Sequence, residues 1–266
     1  MSDVVLVKLG GSLITDKSKP FTEKMDVISR LVREIHEARQ ECGVKIIVGH
    51  GGGSYPHEPA KKYQTHKGMA GHESLKGLAL VQDAAARLNR IIVKALIDAG
   101  ENAISVNPSS CTIAEDSRIT EWYTKPLEKY LEYRMLPVVY GDVGTDFKQG
   151  FCILSTEELF YHLSKKLNVG KIIMCGKTDG VFTADPNTNP DAKHIPEINS
   201  GNYQDIEKFL TSSDGIDVTG GMLLKVKRAV ELAKDGIETH IMNGTVPGNL
   251  KKTLLNEEVM KTVIKA

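Results

Sequence analysis

The sequence has no excess of charge of either sign. Its 266 residues include 34 lysines and arginines and 34 aspartates and glutamates. Proteins that bind nucleic acids or acidic membrane surfaces usually carry a basic excess, so this balance argues against both kinds of partner. It favours a small molecule as the ligand.

Membrane-spanning segments and paired cysteines are also missing. No apolar run approaches the roughly 20 residues that a spanning helix needs. The chain has four cysteines, which are widely spaced and form no CxxC motif: Cys42, Cys111, Cys152 and Cys175. Such cysteines in apolar surroundings are typical of reduced core residues. We therefore expect an intracellular, cytoplasmic protein without disulfide bonds.

The most informative stretch is a glycine loop between an apolar strand and the start of a helix. Residues 44–48 predict the strand, Gly51-Gly52-Gly53 form the loop, and Pro56 suits the first helical turn. Successive glycines let the backbone approach a bulky anion, and the helix that follows presents unpaired N–H groups. At the mouth of the loop, His57 can donate a charge-assisted hydrogen bond to a phosphate. The alternative is an ordinary glycine turn with a surface histidine.

A second glycine loop ends the first strand. Residues 3–9 are mostly apolar around Lys8, and Gly10-Gly11-Ser12 follow. A lysine within a buried type of strand needs an anionic partner, so we interpret Lys8 as functional rather than as a charge on an edge strand. Lys17 lies in the loop that follows. A functional role for it and a solvated loop charge explain it equally well.

A third glycine-rich segment lies nearer the C-terminus. Asp217-Val218-Thr219-Gly220-Gly221-Met222 opens an amphipathic helix predicted over 221–235, with Lys225 in its first turns. Because helical side chains lean toward the N-terminus, Lys225 can reach back over an anion held at the start of the helix. A capped helix with a solvated lysine explains the segment equally well.

Strands and helices alternate along the rest of the chain. Helices are predicted over 23–43, 74–99 and 126–134, and strands over 103–106, 136–140, 171–174 and 238–242. Residues 181–186 predict a strand closed by a turn at Asp185-Pro186, residues 143–153 a hairpin, and the end of the chain a short helix and a last strand. The alternation predicts an α/β fold in which a mostly parallel sheet is covered by helices on both faces. Such sheets bind ligands at the carboxyl ends of their strands, where the glycine loops fall.

The helix predicted over 74–99 has a broad aliphatic face without aromatic residues: Leu75, Leu78, Val81, Ala85, Leu88, Ile92 and Leu96. Most of this face is expected to be core, and any part that is not would offer a pocket for a hydrocarbon rather than an amino acid. Further along, Ser155 and Glu158 have the spacing of a capping box at a helix start. That cap explains the presence of Glu158 without a functional role. It leaves Glu157 available for a role in the site.

Four histidines raise the alternative of a metal site. His50, His57, His66 and His72 lie close in sequence, with Glu58 and Glu73 among them. Their spacings match no zinc pattern and no cysteine is interleaved, so we predict no metal site formed by the protein.

Five motifs, taken together and in order, resemble the amino acid kinase family: Lys8-Leu9-Gly10-Gly11-Ser12, His50-Gly51-Gly52-Gly53-Ser54, Gly141-Asp142, Thr178-Asp179-Gly180-Val181 and Asp217-Val218-Thr219-Gly220-Gly221-Met222. The resemblance covers nearly the whole chain. It implies one domain, a three-layer αβα sandwich, with an acceptor-binding half over about 1–168 and an ATP-binding half over about 169–266. It also implies a homodimer.

The resemblance implies site residues as well. Those expected to bind ATP are Lys8, Gly11, Ser12, Thr178, Asp179, Gly180, Asp185, Gly220, Gly221 and Lys225. Those expected to bind the acceptor are Gly10, Gly11, Gly52, Gly53, Ser54 and His57. No cluster of carboxylates stands out, so Mg²⁺ is expected to arrive on the ATP phosphates.

Within the family, His57, Pro59-Ala60-Lys61-Lys62-Tyr63 and Pro108-Ser109-Ser110 resemble the isopentenyl phosphate kinases of the alternative mevalonate route of isoprenoid biosynthesis. The resemblance implies that His57 binds the acceptor phosphate and that Lys8, Lys17 and Lys225 contact the transferring phosphates. Glu157 is then expected to organise the lysines.

The chain departs from that subfamily at three places. Pro56 stands where a glycine is usual, Ser155-Thr156-Glu157 replaces Ser-Gly-Asp, and Gly176-Lys177 replaces Thr-Asp. Two alternatives therefore stay open: a kinase of another small phosphate or phosphonate such as fosfomycin, and a nucleotide-binding sensor without turnover. An amino acid kinase proper is disfavoured because the acceptor half has no evident clamp for a carboxylate and an amine.

Overall fold

A computed structural model describes residues 4–186, 188–211 and 221–266, in which the expected alternation of strands and helices is confirmed. The strands are β1 (Val4–Leu9), β2 (Lys45–His50), β3 (Ala103–Ser105), β4 (Thr112–Glu115), β5 (Arg118–Trp122), β6 (Leu136–Tyr140), β7 (Asp142–Asp146), β8 (Gly150–Leu154), β9 (Val169–Gly176), β10 (Val181–Phe182), β11 (His194–Ile195), β12 (Glu197–Ile198), β13 (Glu238–Asn243) and β14 (Lys261–Ile264). The helices are α1 (Gly11–Ile14), α2 (Met25–Cys42), α3 (Ser54–Tyr63), α4 (His72–Asp98), α5 (Lys125–Glu132), α6 (Thr156–Lys166), α7 (Tyr203–Thr211), α8 (Gly221–Ala233) and α9 (Asn249–Leu254).

The main sheet has eight strands in the order β12-β14-β13-β9-β1-β2-β6-β3. Strand β1 lies at its centre, parallel to both β2 and β9, so that Leu9 is opposite His50 on one side and Cys175 on the other. Near one edge, β14 runs antiparallel to β13. Central strands that are buried on both faces read as unbroken apolar runs, which is why β1, β2, β6 and β9 were visible in the sequence.

Helices cover both faces of this sheet. Val7 of β1 packs in one apolar cluster with α2 and α4, whereas Leu6 packs in another with α6 and α8. Adjacent side chains of a strand point to opposite faces, so the sheet separates two helical layers. The predicted three-layer αβα sandwich with a mostly parallel central sheet is confirmed.

The predicted ends of the longer helices are accurate. Helices α2, α4 and α5 each begin and end within two residues of the predicted limits. The helix expected over 221–235 is observed as α8, whereas the strand expected from Val181 up to the turn at Asp185-Pro186 is limited to the two residues of β10. Sequence reasoning missed helix α7 and strands β4 and β5.

A smaller sheet of four strands, β5-β4-β7-β8, lies beyond the main one. Strands β7 and β8 form the hairpin that was expected over 143–153. Strands β4 and β5 form a second hairpin, whose turn places Asp116 and Ser117 at φ of 54° and 61°. Neither turn residue is glycine or asparagine, so this hairpin lacks the usual sequence signal.

One expectation about the core is wrong, and another holds only in part. Cys42 is exposed and Cys111 half-buried, although Cys152 and Cys175 are buried as expected, and all four cysteines are free. Most of the aliphatic face of α4 is core, as expected: Val81, Ala85, Leu88, Ile92 and Leu96 are buried, whereas Leu75 is 44% exposed. The 27 residues of α4 span about 40 Å, about twice the length of a six-residue strand, so its first turns have no sheet to cover.

Among the described residues, no helix is long and apolar enough to cross a membrane.

Candidate functional site

The glycine loops meet at one end of the main sheet. Because β1, β2 and β9 run parallel, their carboxyl ends lie side by side, and each loop is tied to the next strand by a backbone hydrogen bond. The N–H of Gly10 donates to the carbonyl of Cys175 (2.9 Å), and the N–H of Gly51 donates to the carbonyl of Leu9 (3.1 Å). The sheet thus fixes the loops relative to one another.

Gly11 and Gly53 pack backbone against backbone. A Cβ added at Gly11 would lie 2.5 Å from the nitrogen of Gly53, and one added at Gly53 would lie 2.7 Å from the carbonyl oxygen of Gly11 and closer still to the Thr15 hydroxyl. Gly53 also has φ of 56° and ψ of −134°, a conformation that a side chain disfavours. Both positions therefore require glycine.

The loop itself, rather than the helix after it, supplies backbone donors. Within the part of the chain that the structure describes, the N–H groups of Gly52 and Gly53 take no protein partner. By contrast, the N–H of Ser54 donates to the Thr15 hydroxyl (2.9 Å) and that of Tyr55 to the carbonyl of Gly52 (3.2 Å). The expectation that the first N–H groups of α3 are unpaired is wrong for these two residues, and Pro56 has no N–H at all.

Two cavities open at the loops and share Gly51, Gly53 and His57. The first, here the lysine cavity, is also lined by Lys8, Gly10, Gly11, Ser12, Lys17, Met174, Cys175, Gly176, Lys177, Thr178, Met222, Lys225 and Ile241. The second, here the apolar cavity, is also lined by Gly52, Pro56, Ala60, Val81, Gly141, Asp142, Ile153, Leu154, Ser155, Thr156 and Glu157. A charged pocket and an apolar pocket therefore adjoin at one histidine.

Lys8 and Glu157 form an ion pair beside these cavities. Lys8 is only 8% exposed, although its cationic side chain stands in the central strand. Burial alone would raise the pKa of Glu157, but the charge and hydrogen bond of Lys8, with the charge of Lys225, hold that pKa below its usual value. Glu157 therefore stays ionised between two lysines that come from β1 and α8.

His57 stands where the two cavities join. Partial burial and the charge of Lys17 lower the pKa of His57 from its ordinary value. In the free protein the imidazole is therefore mostly neutral near pH 7, and a bound phosphate would favour its charged form.

The structure brings most of the predicted site residues together, but not all of them. Ser54 lines neither cavity, since its hydroxyl is buried and accepts from the N–H of Thr22 (3.2 Å). Asp179, Gly180 and Asp185 also lie outside the lining of both cavities, whereas Thr178 lines the lysine cavity. A side chain at Gly180 would meet Thr262 and His194.

The third glycine segment lies only partly within the described residues. Residues 217–220, including Gly220, lie outside the described residues, and Gly221 begins α8. Lys225 reaches the lysine cavity from that helix, as its position one turn into the helix predicted.

Sequence reasoning missed several residues of the apolar cavity. Thr156 is buried and donates its hydroxyl to the carbonyl of His50 (2.7 Å), which fixes the start of α6 to the end of β2. Asp142 is buried and accepts from the N–H of Ser109 (3.1 Å), and its burial raises its pKa. The Gly141-Asp142 motif was the available signal for Asp142, whereas Thr156 had none beyond its neighbour Glu157.

Glu158 does more than cap α6. Its N–H donates to the Ser155 hydroxyl (3.1 Å), as the capping box predicts. Its carboxylate, however, accepts from the N–H of Ile119 (3.2 Å) and pairs with Arg118 and Arg228, so the explanation of Glu158 by capping alone is wrong. The missing information was tertiary, because the partners are far away in sequence.

The described residues contain no group of three or more histidine, cysteine, aspartate or glutamate side chains that could hold a metal ion.

Comparison with known proteins gives consistent similarities. A sequence profile described as the amino acid kinase family matches residues 3–243. The isopentenyl phosphate kinase of Methanothermobacter thermautotrophicus is 35% identical over 98% of both chains, and that of Methanocaldococcus jannaschii is 32% identical over 96% of both. A solved structure of an isopentenyl phosphate kinase superposes with a TM-score of 0.85 at 32% identity, covering 98% of this chain and all of the other.

Proposed function

The chain belongs to the amino acid kinase family, and we propose that it transfers the γ-phosphoryl group of ATP to the phosphate of isopentenyl phosphate, giving isopentenyl diphosphate and ADP. The observation that carries this proposal is the meeting of the lysine cavity and the apolar cavity at His57. A donor rich in phosphate suits the first cavity, and an acceptor with one phosphate and a hydrocarbon chain suits the second.

Positioning and charge stabilisation carry this kind of transfer. The loops at 10–12 and 51–53 hold phosphates through backbone N–H groups, and Lys8 and Lys225 neutralise the oxygens of the migrating group. Glu157 keeps Lys8 in place through their ion pair. Lys17, on the same cavity, adds positive charge near His57.

The acceptor needs no general base. An oxygen of its phosphate, already ionised near neutral pH, attacks the γ-phosphorus while the bond to the β-phosphate oxygen breaks and ADP leaves. His57 therefore binds and orients the acceptor phosphate rather than taking a proton. Val81, Ile153 and Leu154 line the space for the hydrocarbon chain.

The proposal includes features that rest on the family resemblance. They are an acceptor half over about 1–168 and an ATP half over about 169–266, Mg²⁺ carried by ATP, a homodimer, and a place in the alternative mevalonate route in the cytoplasm. Mg²⁺ would offset the charge of the nucleotide phosphates when bound. The unpaired cysteines are consistent with a reducing compartment.

Release of ADP from MgATP is the direct test. We expect turnover with isopentenyl phosphate and little with glutamate or other carboxylates, because no lysine or arginine among the described residues that line the apolar cavity could pair with a carboxylate. Fosfomycin is measured in parallel, because its phosphonate carries a short polar epoxide in place of the hydrocarbon chain, and we expect little turnover with it. Turnover with another acceptor alone would support kinase activity and contradict the assignment of isopentenyl phosphate as the substrate. ATP binding without ADP release for any acceptor would favour a nucleotide sensor of the same fold.

His57→Gln is expected to raise the KM for isopentenyl phosphate by about 10- to 100-fold, the value of a lost hydrogen bond to a charged group. In the wild type, the lowered pKa of His57 means that acceptor binding takes up a proton, so the KM should fall as the pH decreases from 8.5 to 6.5. KM values measured across this range for both proteins check the prediction. An unchanged KM in His57→Gln, or the same pH dependence in both proteins, would contradict it.

A further inference from the structure

Helices α6 and α8 are joined by an ion pair next to the reacting charges. We propose that this pair, Glu158 with Arg228, is a positioning device that sets Lys225 over the transferring phosphoryl group; the idea rests on the proposed function. Arg228 Nη2 lies 3.2 Å from Glu158 Oε2, and the two side chains are only 12% and 10% exposed. A pair so sheltered from water is screened little and holds a defined geometry.

Arg228 touches helix α6 at a second point. Its guanidinium carbon lies 4.8 Å from the centre of the Tyr161 ring, and Tyr161 is three residues after Glu158 on the same face of α6. The planar guanidinium is thus held between a carboxylate and a ring on one helix. Such a contact restricts both sliding and rotation of α8 against α6.

Two charged residues of the lysine cavity and its border, Lys225 and Glu157, lie on the same two helices as this ion pair. Lys225 precedes Arg228 by one helical turn, and Glu157 is the neighbour of Glu158 in sequence. The charge of Lys225 acts on Glu157, so the contacts that fix the two helices also fix this pair of charges. Loss of Arg228 would let α8 shift, and a shift on the order of 1 Å at Lys225 is enough to slow transfer.

Glu158 has anchors of its own. It accepts from the N–H of Ile119 (3.2 Å) and pairs with Arg118 (3.1 Å), both on β5. When Arg228 is replaced, the Glu158 carboxylate therefore keeps its partners on β5. The main effect is that α8 loses its attachment to α6. This makes Arg228, rather than Glu158, the position to vary.

The far ends of the two helices provide a matched control. Lys165 of α6 pairs with Asp235, just beyond the end of α8, and both side chains are well exposed. Lys165→Met removes this exposed ion pair and the contact of Lys165 Nζ with the Tyr161 ring (5.2 Å from its centre), without approaching the cavities. It separates general helix packing from the positioning of Lys225.

A double-mutant cycle tests the proposal. Arg228→Gln, Lys225→Met and the double variant are compared in kcat and KM, with thermal unfolding to establish that each is folded. We expect Arg228→Gln to lower kcat about ten-fold with little change in the KM for the acceptor. In the Lys225→Met background the same change should cost less than two-fold, because the lysine that it positions is gone. Arg228→Lys, which keeps the charge but not the planar fork, should recover only part of the loss, and Lys165→Met should match the wild type.

Two results would overturn the positioning role. One is a ten-fold loss from Arg228→Gln in both backgrounds, and the other is an equal loss in Lys165→Met. If isopentenyl phosphate is not turned over but another acceptor is, the cycle is run with that acceptor. If no acceptor is turned over, the cycle is read from the affinity for ADP with aluminium fluoride, a mimic of the transferring group, so the two proposals fail separately.

Discussion

Lys8→Met should lower kcat by about 10² to 10³, the usual effect of removing one fixed group that stabilises charge in the transition state. Lys8 projects from the centre of the main sheet into the lysine cavity and is nearly buried. Its charge is therefore directed at the phosphates with little screening by water. Methionine keeps an unbranched apolar stem that ends one atom short of the lysine nitrogen, so the loss is mainly one of charge rather than packing.

The variant has a second consequence at Glu157. Lys8 holds the pKa of Glu157 below its usual value, so this carboxylate stabilises the fold above its unfolded-state pKa and ceases to do so as the pH falls through its folded-state pKa. Without Lys8 its pKa rises, and that stabilisation shrinks. Lys171→Met is the matched control, since Lys171 stands half-buried on the neighbouring strand β9, away from both cavities. A folded Lys8→Met protein with kcat within ten-fold of wild type would contradict the proposed role.

Gly53→Ala should reduce kcat/KM for both substrates by about 10² or more, because a misplacement on the order of 1 Å has that effect on transfer. The new Cβ would lie 2.7 Å from the carbonyl oxygen of Gly11, a backbone atom that accepts hydrogen bonds from the N–H (3.0 Å) and the hydroxyl (2.7 Å) of Thr15. The two loops can accept the methyl group only by moving apart. The positive φ of Gly53 adds strain of about 1–3 kcal/mol.

Gly71→Ala is the control for this change. Gly71 precedes α4 with an extended φ of 171°, and a Cβ there would meet nothing within 4 Å. It should retain wild-type activity and unfold at the same temperature. Unfolding curves for both variants and kcat/KM for ATP and acceptor are the measurements. Gly53→Ala activity above a tenth of wild type would show that the loops are more adaptable than their contact indicates.

Local signals made the glycine loops and the sheet visible in the sequence. Apolar runs identify strands that are buried on both faces, and Gly51-Gly52-Gly53 directly after such a run predicts an anion loop. The hairpin at Asp116 and Ser117 was missed because its turn residues adopt positive φ without glycine. The exposure of Leu75 could not be read from the aliphatic face of its helix, because periodicity identifies an apolar face but not where the covering layer ends.

Long-range pairing limited the prediction of the site. Lys8 and Glu157 are 149 residues apart, and their pairing was expected only from the family resemblance. The contact of Glu158 with Arg228 had no signal in the sequence, because the capping box with Ser155 already explains Glu158, and Arg228 has a partner three residues away in α8, Glu231. A glycine loop can be recognised from the sequence alone. Pairs between residues on different elements can be identified only when the arrangement of those elements is known.

The position of β1 between β9 and β2 has a consequence for how such a chain can evolve. The boundary near residue 168 separates the proposed acceptor half from the proposed ATP half, yet β1 and β9 are hydrogen-bonded neighbours across it. If one half were exchanged for that of a distant homologue, either β1 or β9 would be replaced. The side chains of the new strand would then not match those of its neighbour across the boundary. New acceptors should therefore arise by point substitutions around the apolar cavity, such as at Val81 or Ile153, rather than by recombination of halves.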